Sequence, residues 1–203
     1  MALYKPTRAM RTTLHYERFA HLVPRPGQKD AITTVFPHED LKKKVIIWSE
    51  RSKHFYVFDT VKQLELFLEV EPDQHYYEVV FGWKRQKPKF DVDTGTEKDF
   101  DELVAAVKKV IGAGVRIIIT DSSSSKKFSR HIIVDKYVKD VEAAKEIMEK
   151  VVKIIGDKNL DTLVYKSTQY FRLLGSRKIS GETKRVISPK TGVSFKDTLI
   201  GKY

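Results

Sequence analysis

Short apolar runs separated by polar residues predict a set of β-strands in this chain. Val45–Trp48 and His54–Phe58 are rich in β-branched and aromatic residues, and the polar segment between them predicts a hairpin. Val115–Thr120 is almost entirely apolar, as expected for a central strand. The same criteria predict strands at Tyr76–Phe81, at Lys87–Asp93 as its pairing partner, and at Phe128–Val134, Thr162–Tyr165 and Tyr170–Leu174.

Apolar residues recur at helical spacing in other segments of the chain. One helix is predicted after Thr60, because Gln63 stands at the spacing of a capping box. Another is predicted over Phe100–Ile111, and a third from Asp140 to a stop at Gly156. Strands and helices are mixed without strict alternation, which predicts an α+β fold.

The chain carries a large excess of positive charge. Lys and Arg total 38 against 27 Asp and Glu, a net charge of +11. Such a domain attracts polyanions, although a solvated basic surface without a partner is the alternative. The first 40 residues are basic and contain prolines, which predicts an N-terminal arm over residues 1–40, followed by one folded domain over 41–203.

Several functional classes are excluded or disfavoured by composition. The chain has no cysteine, so it contains no disulfide, zinc knuckle or catalytic thiol. No apolar run approaches the length of about 20 residues that spans a membrane. The N-terminal residues lack the apolar segment of a secretory signal. We therefore expect an intracellular protein without a membrane partner.

Two carboxylates, Asp91 and Asp93, are separated by one residue in a predicted strand. Residues i and i+2 of a strand point to the same face, about 6–7 Å apart. A divalent cation relieves the repulsion between two such charges, and carboxylate oxygens suit Mg²⁺ or Mn²⁺. The alternative is a pair of solvent-facing acids at the end of a strand.

A second polar set follows in Lys127–His131. Strand alternation places Lys127, Ser129 and His131 on one face and Phe128 and Arg130 on the other. A cation, a hydroxyl and an imidazole on one face are donors suited to a polyphosphate. A polar edge strand is the alternative interpretation.

A third set lies towards the C-terminus. Asp161 is an additional acid that is able to complete a two-metal site for phosphoryl transfer. Arg172 and Lys178 are candidates to bind phosphates or the backbone of a template. A turn residue and a solvated basic tail are the corresponding alternatives.

Taken in order, these motifs resemble those of the archaeo-eukaryotic primase superfamily, above all the primase-polymerases of eukaryotes and large DNA viruses. The Lys127–His131 string is the most specific of the matching segments. It lies within Asp121–Ile133, one of four matching segments, and the other three are His75–Val79, Phe90–Asp93 and Asp161–Leu173. The resemblance implies a two-lobed α+β catalytic core in which an RRM-like mixed or antiparallel sheet carries the acids.

The resemblance also implies an activity and residue roles. The activity is that of a DNA primase, a template-directed nucleotidyltransferase that joins nucleoside triphosphates on a DNA template during replication with two divalent metals, Mg²⁺ or Mn²⁺. The implied catalytic and metal-binding residues are Asp91, Asp93 and Asp161. The implied nucleotide-binding residues are Lys127, Ser129, His131, Arg172 and Lys178.

The chain departs from the family pattern in places. The second acid of the first motif is often Glu and is Asp93 here, and Gln169 stands where relatives can carry a basic residue. Family members often continue into zinc-binding or helicase regions. We therefore expect a catalytic fragment of a longer protein, with a helicase domain or subunit as a further partner.

Two other functions fit some of the same residues. Asp91–Thr94, Thr120 and Gly156–Asp161 fit the motifs of a haloacid-dehalogenase-type phosphatase, with the two acids of the first motif as nucleophile and general acid. The nucleophile strand of that fold is central and parallel, whereas Lys87–Lys89 is basic and contains a proline. A non-catalytic module that binds single-stranded nucleic acid is the other alternative.

Overall fold

The computed structural model describes residues 32, 36–71, 73–93, 95–156, 160–161, 164–181, 183–187 and 192–203, and the backbone of 16–19. The strands are β1 Tyr16–Phe19, β2 Val45–Ser49, β3 Phe55–Phe58, β4 Tyr76–Phe81, β5 Lys89–Val92, β6 Ile117–Asp121, β7 Arg130–Val134, β8 Thr168–Arg172 and β9 Val186–Ile187. The helices are α1 His38–Lys43, α2 Val61–Val70, α3 Glu97–Ile111 and α4 Val141–Ile155, with a short 3₁₀ turn at Lys196–Thr198. None of these helices is long and apolar enough to cross a membrane.

One sheet has the strand order β1-β3-β2-β4-β8, with every neighbouring pair antiparallel. The predicted hairpin is confirmed, since Val45 pairs with Phe58. The predicted capping box of α2 is present at Thr60 and Gln63, and the apolar side of the helix packs on this sheet. Strand β1 lies within the region predicted as an arm and pairs with β3.

The predicted pairing of residues 87–93 with Tyr76–Phe81 is wrong. Strand β4 is hydrogen-bonded to β2 on one side and to β8 on the other, whereas β5 pairs with β7. A strand has only two edges, and both edges of β4 are occupied. The chain after β4 therefore crosses to a second sheet.

The second sheet has the order β5-β7-β6-β9 and is also antiparallel. Helices α3 and α4 cover one face of it, where Phe90, Val92, Ile132 and Val134 join their apolar residues in one core. Helix α3 begins three residues earlier than predicted, because Thr96 and Asp99 form a capping box in front of Phe100. Helix α3 ends at the predicted Ile111, with Gly112 as its C-cap, and α4 ends before the predicted Gly156.

The other predicted strands differ in detail. Strand β6 lies between β7 and β9, as predicted for a central strand. Of the strand predicted at Thr162–Tyr165, the first two residues lie outside the described part, and Val164 and Tyr165 are not in a strand. Strand β9, in the C-terminal tail, was not predicted.

The two sheets meet along the face of the second sheet that the helices leave open. Val80 and Phe171 of the first sheet pack there with Ile118 and Ile133 of the second. The buried Lys89 of β5 donates a hydrogen bond to Gln169 of β8. The open face of β5 and β7 therefore lies next to β8. The molecule is a mixed α+β protein with two antiparallel sheets, as the class prediction states.

Candidate active site

Asp91 and His131 lie side by side where the two sheets meet. The antiparallel register of β5 and β7 pairs them, and His131 Nε2 lies 3.4 Å from Asp91 Oδ1. The imidazole packs on Phe171 of β8, with 4.1 Å between ring centroids. Arg130 points to the other face, where its guanidinium lies 4.8 Å from the Phe128 ring centroid. The alternation predicted for this strand is present.

Asp93, Ser129 and Lys127 form a second contact set beside the first. Asp93 follows the end of β5, and its Oδ1 accepts a hydrogen bond of 3.0 Å from Ser129 Oγ. Its Oδ2 lies 2.8 Å from Lys127 Nζ, and both side chains are partly exposed. The Lys127–His131 segment therefore lies directly against the carboxylate pair.

The pattern of the sequence did not identify Arg185, the largest fully buried side chain among the described residues. Its Nη2 donates to Ser129 Oγ at 3.2 Å and its Nη1 donates to the carbonyl of Thr120 at 3.3 Å. Burial and the charge of Arg172 lower the pKa of Arg185 to about 9, so the guanidinium stays protonated at neutral pH. The only sequence signal was the apolar pair Val186–Ile187 after it, which is too short to predict a strand.

Ser129 is the centre of a small hydrogen-bond network. Its hydroxyl donates to Asp93 and accepts from Arg185 and from Ser122 Oγ at 3.2 Å. Its side chain is buried, with 4% exposure. The hydroxyl that was predicted to contact a triphosphate is thus already bonded to protein groups on every side, and it orients Asp93.

A cavity of about 390 Å³ opens beside this network. Four cationic residues line it, together with hydroxyl groups, and no carboxylate of the described residues does. The cations are Lys126, Lys127, Arg172 and Lys178, and the hydroxyl residues are Ser122, Ser124, Ser125, Ser129, Ser180 and Thr183. The structure thus brings all the predicted nucleotide-binding residues except His131 to one cavity wall, with Asp93 bonded to two of them.

The loop between β6 and β7 supplies the hydroxyl groups of that wall. Ser124 pairs with Lys127 across the turn, and the Ser123 hydroxyl accepts a hydrogen bond of 2.9 Å from the Ser129 amide. Arg172 also lines the cavity: its Nη1 donates to Ser122 Oγ at 3.4 Å, and its buried Nε has no hydrogen-bond partner among the described residues. The serine run is therefore a folded part of the cavity.

Local charges determine the protonation of the Asp91–His131 pair. Burial acts to raise the pKa of Asp91, but His131, Arg185 and Arg172 together lower it to about 2. Burial and the two arginines lower the pKa of His131 to about 4. At neutral pH the pair is therefore a carboxylate beside a neutral imidazole. The pKa of Asp93 is also lowered, because Lys127 and Ser129 outweigh its burial and the charge of Asp91.

The third predicted acid, Asp161, is attached to the site through its backbone. Its amide donates to the Asp91 carbonyl at 3.0 Å, next to a bridge between Leu160 and Val92. Its side chain is exposed. In the part of the chain that the structure describes, no group of three or more His, Asp or Glu side chains is arranged to hold a metal ion.

The carboxylate pair itself has properties that fit a divalent cation. Asp91 Oδ1 is buried, and no described residue satisfies it with hydrogen-bond geometry. An unsatisfied buried carboxylate oxygen is costly, and a hard cation is the type of ligand that would satisfy it. Asp91 and Asp93 fit such an ion if substrate or water oxygens complete the coordination.

No protein-family model matches the chain, and no curated protein sequence matches it significantly.

Proposed function

We propose that the protein is a template-directed nucleotidyltransferase, a DNA primase-polymerase of the archaeo-eukaryotic primase superfamily. One observation carries the proposal. The ionised Asp93, which lies beside Asp91, directly contacts Lys127 and Ser129, and both of these residues line the cationic cavity. Carboxylates suited to metal and cations suited to polyphosphate are the two components that phosphoryl transfer from a triphosphate requires.

The topology supports the same proposal. Elements β5, α3, β6, β7 and α4 follow one another as β-α-β-β-α, with the sheet order β5-β7-β6 and both helices on one face. That is the arrangement expected for the RRM-like sheet of the superfamily, with the acids on its open face. The sheet that contains β8 would be the other lobe.

The cations of the cavity would bind the triphosphate of the incoming nucleotide. Arg172 approaches it from the end of β8, Lys178 from the segment after β8, and Lys126 and Lys127 from the loop before β7. Charge-assisted hydrogen bonds from such groups are strong and align the polyphosphate. A 3′-hydroxyl would then attack the α-phosphorus, forming a phosphodiester bond as pyrophosphate leaves.

The acids and the buried groups would prepare the site for that step. Asp91 and Asp93 would hold the divalent cation, with Asp161 as a further ligand from the neighbouring segment. Mg²⁺ or Mn²⁺ bound there would activate the attacking hydroxyl and offset the charge of the phosphates. Ser129 and Arg185 keep Asp93 in place, and the neutral His131, which packs on Phe171, lies against Asp91.

The fold argues against the phosphatase alternative. Among the described residues β5 is an edge strand that pairs antiparallel with β7, whereas the phosphatase requires a central parallel strand. Thr94 and residues 157–159 of its proposed motifs lie outside the described part. A passive nucleic-acid-binding module leaves unexplained why two ionised acids and an unsatisfied carboxylate oxygen lie beside the cationic cavity.

Extension of a primed DNA template tests the proposal. Wild type, Asp91→Asn and Asp93→Asn are compared with Mg²⁺ or Mn²⁺ and nucleoside triphosphates. Asp101→Asn, an exposed acid of α3, is the matched control for the charge change. We expect each site variant to lose on the order of 1000-fold in rate, as when transition-state stabilisation is removed. Loss in the control should be less than about twofold.

The alternatives predict other results. Equal extension by wild type and Asp91→Asn would contradict the proposed role of the acids. Release of phosphate from small phosphomonoesters without a template would support the phosphatase. Binding of single-stranded DNA with neither synthesis nor metal-dependent triphosphate binding would support the passive module.

A further inference from the structure

A second basic pocket lies apart from the candidate active site. It has a volume of about 490 Å³ and shares no lining residue with the first cavity. Trp83 and Tyr203 line it together with basic residues, and none of the described lining residues is acidic. The basic residues are Lys42, Lys43, Lys84, Arg85 and Lys202. We call this set the second basic pocket.

Hydrogen bonds join the segments that build the pocket. Lys84, in the turn after β4, donates to the Lys44 carbonyl at 2.9 Å, which ties the turn to the end of α1. The Lys202 amide donates to the Arg85 carbonyl at 2.9 Å. Tyr203 Oη donates to the buried Glu78 at 2.7 Å. The pocket is thus built on the folded framework.

The apolar wall of the pocket is held rigidly. The Trp83 ring stacks on His38 at 4.9 Å and on Phe81 at 5.3 Å between centroids. Both contacts are nearly parallel stacks, so the neighbouring rings hold the indole in place as a wall of the pocket. Lys84 Nζ lies 3.9 Å from the Tyr203 ring centroid and secures the opposite wall.

The positive charge at the rim of the pocket is largely uncompensated. Lys43, Arg85 and Lys202 are exposed, and no described carboxylate forms an ion pair with any of them. Lys42 is paired with Glu39, and Lys84 is buried and bonded to backbone carbonyls. Three cations around a concave, partly apolar surface attract a polyanion that also has an apolar part.

We propose that the second basic pocket binds single-stranded nucleic acid, with phosphates on Lys43, Arg85 and Lys202 and a base or sugar against Trp83 and Tyr203. A duplex keeps its bases stacked and presents only phosphates, so it has nothing to insert into an apolar pocket. A single strand offers both groups. The choice of nucleic acid as the polyanion rests on the proposed function. The second basic pocket would then bind a part of the strand that does not take part in the reaction.

Fluorescence anisotropy with a labelled DNA oligonucleotide tests this inference, in buffer without nucleotide or divalent metal. The variant is the triple Lys43→Glu, Arg85→Glu, Lys202→Glu. The control triple is Lys98→Glu, Lys139→Glu, Lys150→Glu, which changes the net charge equally at exposed residues outside both cavities. We expect the pocket variant to lose at least about tenfold in affinity beyond the control. Its salt dependence should be shallower by about 2 in log–log slope, since each contact to a single strand contributes about 0.7.

Several results would overturn the inference. Equal losses in the two triple variants would show only a general charge effect. Anionic phosphatidylserine vesicles are measured in parallel, and a defect confined to vesicle binding would assign the pocket to a membrane surface instead. If circular dichroism shows that the glutamate variant is unfolded, the corresponding glutamine triple is measured by the same criteria.

Cross-linking provides a second, independent measurement. An oligonucleotide containing 5-iododeoxyuridine should cross-link to peptides containing Trp83 or Tyr203. Cross-links confined to the first cavity would contradict the inference. Neither assay depends on synthesis, so a failure of primer extension in wild type would contradict the proposed function and leave these results interpretable.

Discussion

Arg185 donates a hydrogen bond of 3.2 Å to Ser129 Oγ, and Ser129 in turn donates to Asp93. A buried cation from the C-terminal tail is therefore connected through one hydroxyl to the candidate metal-binding acids. Its charge also helps to lower the pKa of Asp91. The arrangement leaves a protonated guanidinium as the built-in counter-charge of the carboxylate pair.

Replacement of Arg185 by Met should therefore destabilise the fold. The substitution leaves Asp91 and Asp93 without their buried counter-charge, and removing one member of a buried charge set costs about 3 kcal/mol. We expect a fall of that size in the free energy of unfolding by urea denaturation. Arg51→Met removes an exposed arginine that contacts Asp73 at 2.7 Å, and should cost less than about 1 kcal/mol. Similar losses in both variants would contradict the role of Arg185.

Lys127→Met should affect the binding of a metal ion and the binding of a triphosphate differently. Lys127 competes with a metal for Asp93, so removing it should leave Mn²⁺ binding unchanged or stronger by up to about fivefold. The same change removes a cation from the cavity wall, so a nucleoside triphosphate should bind about fivefold more weakly. Calorimetric titration of each ligand measures both effects, with Lys136→Met as an exposed control. Weaker binding of both ligands would indicate that Lys127 supports the metal site.

Lys84 should make stability depend on pH. Burial lowers its pKa from 10.5 to about 7, although Glu78 acts to raise it. Between these values the unfolded chain binds a proton that the native protein does not, so stability rises with pH across this window. Lys84→Met removes this difference in bound protons. The slope of its unfolding free energy against pH should therefore be shallower than that of wild type, by up to about 1.4 kcal/mol per pH unit.

Urea denaturation at pH values from 7.5 to 9.5 measures the slope. Lys89, whose pKa burial also lowers to about 7, contributes equally to wild type and variant. Lys139→Met removes the same formal charge from an exposed side chain and is the control. Parallel profiles for wild type and Lys84→Met would show that the native state accommodates the charged lysine without penalty.

Gly82 lies where the chain leaves β4 and where a side chain has no room. A Cβ there would lie 2.9 Å from Val141 Cγ1 and 3.3 Å from the backbone of Ser167. We expect Gly82→Ala to destabilise the protein by about 1–3 kcal/mol, as overpacking does. Gly114→Ala is the control, since a Cβ at that position meets nothing within 4 Å. Thermal unfolding of the two variants compares them, and equal melting temperatures would contradict the steric argument.

Local pattern was sufficient for most of the helices and strands, because their periodicity and caps lie within a few residues of each other. Thr60 with Gln63, and Asp140 with Gly156, marked helix ends correctly. Alternation along Lys127–His131 correctly separated Ser129 and His131 from Arg130. Local pattern failed where boundaries depend on tertiary contacts. Tyr165 is an example, since it lies outside the strands and its hydroxyl donates to the Lys89 carbonyl.

Which strands pair, and which distant side chains meet, depended on the folded chain. Both edges of β4 are filled by strands from elsewhere in the chain, so β5 could not pair with it despite following it directly. The position of Arg185 depends on contacts with Thr120 and Ser129, which are 65 and 56 residues away along the chain. The second basic pocket combines three segments that are distant in the chain. The periodicity of a segment indicates which of its faces is buried, but long-range packing decides which other element covers that face.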